Sequence, residues 1–311
     1  MKSSASRVAL ALLVTVATAA TACSSFGTDF IASGPGTPDA SSPGTDAGEG
    51  GSLPPVNGVP KQDSGSSGDA AAGAWSPKDL PGLAVWLDSS VGLTSDGSSN
   101  VTAWLDQSGN QNKAAPAAPC VAPTRVANSL NGHDTLAFPG VARTCVVVPD
   151  SPSIQFGTGD FAIFVVARYS NVRVLGGDNT YAPLWMKKAA DGFGGLAFTG
   201  SDKLSFGESA FGAFTESATG GLNDNRFRRF GGTRRGTDLE IWLDGSQDSK
   251  KTVTIVDVSQ VGRPLTVGAI LLISTSNTMI GSLAEIVAVK GNITDAQIAD
   301  LDGYFKTKYA L

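Results

Sequence analysis

Three stretches of this chain hold residue types at spacings that chemistry can use. In Asp238-Leu-Glu-Ile-Trp-Leu-Asp244, strand alternation puts Asp238, Glu240, Trp242 and Asp244 on one face. Two carboxylates about 5–5.5 Å apart beside an aromatic platform are what a retaining glycoside hydrolase uses. The same residues also read as a solvated strand face ending in an Asp244-Gly245 hairpin turn. In Asp106-Gln-Ser-Gly-Asn-Gln-Asn112, the residues Asp106, Ser108 and Asn110 offer oxygen donors at alternate positions, the ligand type that Ca²⁺ takes. The stretch is not an EF-hand, because Gly109 comes too early and Ala117 stands where the bidentate Glu belongs. An Asx or Ser turn closing a strand is the competing reading. Between Arg226 and Arg235, five Arg and two Phe fall within ten residues. Arg226 and Arg228 would there grip an acidic polysaccharide, although a charged sheet-edge strand has the same composition. Trp185, in Tyr181-Ala-Pro-Leu-Trp-Met186, would either stack on a sugar or be buried in a core.

Other chemistries are excluded by composition. His133 is the only histidine, which removes multi-histidine metal sites and leaves little for a Ser-His-Asp triad. It reads as a loop residue in Asn-Gly-His-Asp. From residue 75 onwards there is neither a Gly-x-Ser-x-Gly elbow nor a phosphate-binding glycine loop.

The elements that would position these groups begin with an address. Lys2 and Arg7 precede an apolar run from Val8 to Ala22, 15 residues long. That is short of the roughly 20 residues a membrane span needs, but it fits the core of an export signal. The run ends Ala20-Thr-Ala-Cys23, small residues before a cysteine, and so resembles a bacterial lipobox. The expectation is a signal over 1–22 and a lipid on Cys23, anchoring the chain in the bacterial cell envelope at the outer membrane or cell surface. An ordinary secretory signal cut nearby is the alternative.

From Ser24 to Ala74, 26 of 51 residues are Gly, Ser or Pro. Such a segment has too little apolar surface to offset its ordering entropy and should be a disordered tether over 23–74, reaching roughly 40 Å. It carries six acids against Lys61, so most of the chain's net charge of −5 lies there. The remainder is close to neutral, which argues against nucleic acid as a partner. Setting Cys23 aside leaves Cys120 and Cys145, a disulfide candidate for an exported protein, worth roughly 3–4 kcal/mol in the chain-entropy account.

Residues 75–311 read as one all-β domain. Leu83–Asp88 alternates, with Leu83, Val85 and Leu87 on one side and Ala84, Trp86 and Asp88 on the other. A second phrase, Trp104-Leu-Asp106, repeats Trp86-Leu-Asp88, and Thr94–Asn100 between them reads as a loop. Further strand-like runs are 135–138, 145–148, 161–167, 239–243, 252–256, 265–267 and 283–289, with turn residues between. The clear helix is terminal. Thr294 and Gln297 form a capping box, and Ile298, Leu301 and Phe305 make one apolar stripe.

Four segments together resemble the concanavalin A-like lectin/glucanase superfamily, and within it bacterial laminin G-like domains. They are Leu83–Asp88, Trp104–Asn112, Asn131–Phe138, and Gly281–Val289 with the helix after it. The resemblance implies an antiparallel jelly-roll β-sandwich with a short C-terminal helix. It also implies a family that includes sugar binders, adhesion modules and glycosidases. Laminarinase-like members carry Glu-x-Asp-x-x-Glu, or a close variant, on one strand. The four Glu of this domain (Glu208, Glu216, Glu240 and Glu285) do not reproduce that order. The expected function is therefore a non-catalytic carbohydrate-binding or adhesion domain for an extracellular glycan. It requires no cofactor beyond the calcium considered above; the alternative is a glycoside hydrolase using Glu240 with Asp238 or Asp244.

Overall fold

The computed structural model describes residues 74–173, 181–187, 194–208, 212–270 and 277–311. The export signal, Cys23 and the tether lie outside the described residues.

Two antiparallel sheets face each other. The larger holds β4 (Thr124–Leu130), β5 (His133–Pro139), β7 (Phe161–Arg173), β12 (Arg228–Arg235), β13 (Asp238–Leu243), β14 (Ser246–Thr252) and β16 (Thr278–Lys290). Its order is β14-β13-β12-β7-β16-β5-β4, and β1 (Leu83–Asp88) adds to β16 beside β5. The smaller sheet runs β11-β10-β9-β8-β15-β6. These strands are β6 (Val146–Val148), β8 (Tyr181–Lys187), β9 (Gly194–Thr199), β10 (Leu204–Glu208), β11 (Ala213–Glu216) and β15 (Leu265–Val267). A hairpin of β2 (Leu93–Ser95) and β3 (Val101–Trp104) stands apart. The domain is thus an all-β, concanavalin A-like jelly-roll sandwich closed by one C-terminal helix, α1 (Asp295–Tyr309).

β16 organises the larger sheet. One of its edges pairs with β7 along nearly its whole length. The other edge is divided, with residues 280–283 bonded to β5 and residues 285–289 to β1. Ala284 marks the division, and its carbonyl accepts both the amide of Ser89 at 3.0 Å and the Ser89 hydroxyl at 2.7 Å. The strand is apolar on both faces because both are covered. Met279, Leu283, Ile286 and Ala288 enter the core between the sheets. Ala284, Val287 and Val289 face a second core, where α1 lays Ile298, Leu301, Phe305 and Tyr309 on the sheet. Such a continuous apolar run marks a strand covered on both faces.

The two Trp-Leu-Asp phrases meet. Leu87 bridges to Asp106, and the amide of Gln107 donates to the Trp86 carbonyl at 2.7 Å. Leu83, expected beside Val85 and Leu87, packs instead in the second core, because the pairing with β16 shifts between Leu83 and Val85. Cys120 and Cys145 are bridged, with their Cα atoms 5.2 Å apart. The capping box at Thr294 and Gln297 forms as expected.

Three expectations about strands need correction. The run 252–256 is not a strand; the polar Ser246–Thr252 pairs with β13 in its place. An edge strand is solvated on one side, so hydropathy does not reveal it. The arginine-rich β12 is not a sheet edge but lies between β7 and β13. Thr94 and Ser95 belong to β2 rather than to a loop. The open side between the sheets is latched by side chains of β14, where Ser249 donates to the Glu216 carbonyl at 2.8 Å and Lys251 to that of Phe214 at 3.0 Å. These bonds occupy backbone groups of the edge strand β11 that would otherwise invite pairing with another chain.

Candidate functional site

The carboxylates on β13 face outward, towards α1, and each is held by a cation. Glu240 is 2% exposed. Its Oε2 accepts from Thr233 Oγ1 at 2.9 Å and from Arg235 Nη2 at 2.6 Å. Asp238 pairs with Lys250 at 2.7 Å, and the hydrogen bonds from Lys250 and Thr252 hold its carboxyl below the usual range. Asp244 accepts from Arg228 Nη1 at 3.2 Å and from the Arg229 amide at 3.0 Å, at a turn where Asp244 and Gly245 both have positive φ. The hairpin reading of Asp244-Gly245 is the one realised. Each of these acids is thus engaged in an ion pair within the fold.

The arginine cluster is similarly engaged. Arg228 joins Asp224 at 2.5 Å as well as Asp244, and these partners raise its pKa further. Arg229 meets Asp302 of α1 at 2.5 Å. Arg234 is 2% exposed and caps the carbonyls of Gly157, Gly159 and Val256. Arg235 joins Glu240 to Asp295. Arg226 is exposed and its side chain has no ion pair among the described residues. The cluster bolts the sandwich to its helix, and Arg228 is not the free cation expected of a polysaccharide grip. Trp185 is 2% exposed and stacks on Phe156 with centroids 6.0 Å apart, so it packs the core and presents no face to a sugar. His133 opens β5, with Nδ1 2.9 Å from the Ser90 hydroxyl and its ring edge-on to Tyr309.

At the proposed calcium loop, Asp106 is a hub of five hydrogen bonds. Oδ1 accepts from the amides of Trp86 and Ser108, both at 2.9 Å. Oδ2 accepts from Ser108 Oγ at 2.8 Å and from Asn112 N and Nδ2 at 3.0 and 3.1 Å. Asn110 turns its Nδ2 to the carbonyls of Leu83 and Ala84, at 2.9 and 3.0 Å. This is the geometry of an Asx turn that staples β1 to the chain after β3. Asp106→Ala should cost about 2–3 kcal/mol by leaving buried donors unpaired. The same reading expects the melting temperature to be unmoved by Ca²⁺ or chelator, and a clear rise with Ca²⁺ would restore the metal reading.

Sequence reasoning missed a buried polar network under α1. Glu285 is the one charged residue among the apolar positions 283–289 of β16, and it is fully buried. Oε1 accepts from Trp86 Nε1 at 2.5 Å and Tyr304 OH at 3.0 Å, and Oε2 from Lys308 Nζ at 2.7 Å and Tyr309 OH at 2.6 Å. Lys308 Nζ also reaches Asp88 at 2.6 Å and Tyr304 OH at 3.0 Å, so all three of its protons have acceptors. Burial pushes the Glu285 carboxyl up; Lys308 opposes this and the Asp88 charge adds to it. Burial likewise pushes both tyrosines far above their ordinary value. A lone Glu inside an apolar strand needs such partners, and that was the available signal.

Above this network opens a cleft of about 490 Å3, lined by Trp75, Asp300, Gly303, Tyr304, Thr307 and Lys308. Its polar wall is one face of α1, because positions 300, 303–304 and 307–308 recur at helical spacing. Trp75 forms the other wall, its ring 6.0 Å from that of Tyr304 and tilted by 57°. The short 3-10 turn Pro77–Asp79 fixes Trp75 there, capped by Ser76 N donating to Asp79 at 2.8 Å. A second opening, of about 540 Å3, lies beside β2 and β3 near Asp96, Asn100, Pro116 and Val121. It has no aromatic ring, and Asp96 already accepts from Ser98 N, Asn100 N and Asn100 Nδ2.

No protein-family model matches this chain, nor does any curated protein. Solved structures do share the fold. One is the binding domain of Paraclostridial mosquitocidal protein 1, with TM-score 0.53 and 14% identity over 74% of this chain and 53% of that one. Another is the binding domain of botulinum neurotoxin serotype G, with TM-score 0.50 and 11% identity over 72% of this chain and 51% of that one. The chain spans about half the length of these structures. Likeness at this level places the protein in the class of β-sandwich domains and says nothing further of its activity.

Proposed function

We propose that this chain is a non-catalytic carbohydrate-binding lipoprotein of the bacterial cell envelope. A laminin G-like domain is carried there on a tether from lipidated Cys23. One observation carries the binding part. The carboxylates whose spacing suited hydrolysis are held in ion pairs, while an open cleft beside two tilted aromatic rings is left for a ligand. The two fold neighbours are themselves binding domains, which supports binding over turnover. The address rests on the signal and the small residues before Cys23.

The test is a glycan array probed with the mature chain, followed by product analysis on every glycan retained. Binding without released product is expected. Cleavage that disappears in Glu240→Gln would overturn the proposal in favour of a hydrolase. For the anchor, Cys23→Ala should move the protein from the membrane to the soluble fraction. If it stays with the membrane, the lipid reading fails.

A further inference from the structure

The cleft under Trp75 has an unusual balance of used and unused polar groups. Lys308 looks like its natural cation, yet all three ammonium protons already have acceptors, two of them on the carboxylates of Asp88 and Glu285. Its charge is therefore cancelled from below. Asp300, by contrast, is exposed and has no hydrogen bond or ion pair among the described residues. The Trp75 indole N–H and the Thr307 hydroxyl are also without partners among the described residues. The charge left to act on a ligand is negative.

The floor of the cleft is equally specific. Gly303 sits in the middle of α1, where glycine weakens a helix relative to alanine. Nothing within the protein demands it, since a Cβ built there would meet no atom within 4 Å. What the missing side chain provides is room. A ring lying there would meet the exposed part of Trp75 through its apolar C–H face, with Tyr304 tilted beside it. Its hydroxyls would point at Asp300 and Thr307.

We propose that the cleft between Trp75 and α1 is the glycan-binding site, taking a non-acidic sugar ring stacked on Trp75 with a hydroxyl or amino group held by Asp300. This rests on the binding function proposed above and specifies its place and its ligand. A carboxylated or sulfated sugar would meet Asp300 with no free cation among the residues that line the cleft to offset the repulsion. An amino sugar gains a charge-assisted hydrogen bond and so binds most tightly.

The experiment uses the full mature chain against chitosan oligosaccharides, their N-acetylated counterparts and polygalacturonate, by titration calorimetry at low and high salt. Chitosan oligosaccharides should bind best, N-acetylated ones more weakly, and polygalacturonate not at all. Asp300→Asn should reduce the chitosan affinity about tenfold and remove its salt dependence. Gly303→Gln should fill the cleft and abolish binding while the domain melts no lower than the parent, and Trp75→Ala should also abolish it. Binding of these sugars that survives Gly303→Gln would place the site elsewhere and leave the binding function standing. Preference for polygalacturonate would overturn the charge argument. Failure to bind any of these probes or any arrayed glycan would overturn both proposals.

Discussion

Replacing Lys308 with alanine is expected to destabilise the domain by about 3–5 kcal/mol at neutral pH, because it leaves two buried carboxylates without their shared cation. Asp88 and Glu285 are both nearly inaccessible to solvent, and Lys308 is the only cation that reaches either among the described residues. The pH dependence identifies the cause. Burial raises the Glu285 pKa above its ordinary 4.5, so the folded protein binds this proton more tightly than the unfolded chain does. Stability from this group is therefore present at acid pH and is lost as pH rises from about 4.5 through the folded-state value. Removing Lys308 takes away the influence that opposes the shift, so the loss becomes steeper and extends to higher pH. The deficit of the variant should accordingly shrink between pH 7 and pH 5. Reading it as a difference from the parent in urea melts cancels carboxylates such as Asp224 and Asp257, whose lowered pKa values act in the opposite direction. A deficit below 1 kcal/mol, or one independent of pH, would mean that water reaches the pair.

The second large effect concerns Gly231 and Gly232 on β12, which look like weak points of a central strand. Gly232 is a contact point between the sheets, and Gly231 is one between neighbouring strands of the same sheet. A Cβ on Gly232 would lie 2.2 Å from the ring of Phe206, which comes from the opposite sheet, and one on Gly231 would lie 2.4 Å from Phe164. Gly232→Val is expected to destabilise by about 2–3 kcal/mol through overpacking, since the ring has no open space to enter. Phe206→Leu alone should also be destabilising. The two changes together should cost less than the sum of their separate effects, with a coupling of about 1 kcal/mol or more. Additive costs in denaturant melts would show that the sheets simply move apart.

What was legible in the sequence was whatever local pattern decides. The apolar runs of β1, β7 and β16, the capping box at Thr294 and the Cys120–Cys145 pair each follow from neighbouring residues or compartment chemistry. The repeated Trp-Leu-Asp phrase marked two segments that do pair. The strands β8 to β11 were not seen, because Gly194, Gly195 and Gly207 dilute their strand character. Those glycines lie where neighbouring strands approach closely, which only the folded packing reveals. The arginines of β12 misled for a related reason. Their charge suggested an edge, whereas their partners come from 302 and 295 on a helix far along the chain. The cleft escaped notice altogether, since Trp75 and Asp300 are separated by most of the domain and only the fold brings them together.

The divided edge of β16 also dictates an order of events during synthesis. β1, β5 and β7 all emerge from the ribosome long before the strand that each of them borders, and Leu83 waits for Val289. No register in the larger sheet can close around its middle until Thr278–Lys290 exists. Pairings this distant in sequence are slow to form, so β1 and the facing edges of β5 and β7 stay open until β16 is made. A chain stopped before Thr278 would leave β1 without its ladder partner and one edge each of β5 and β7 open, and aggregation would be its fate.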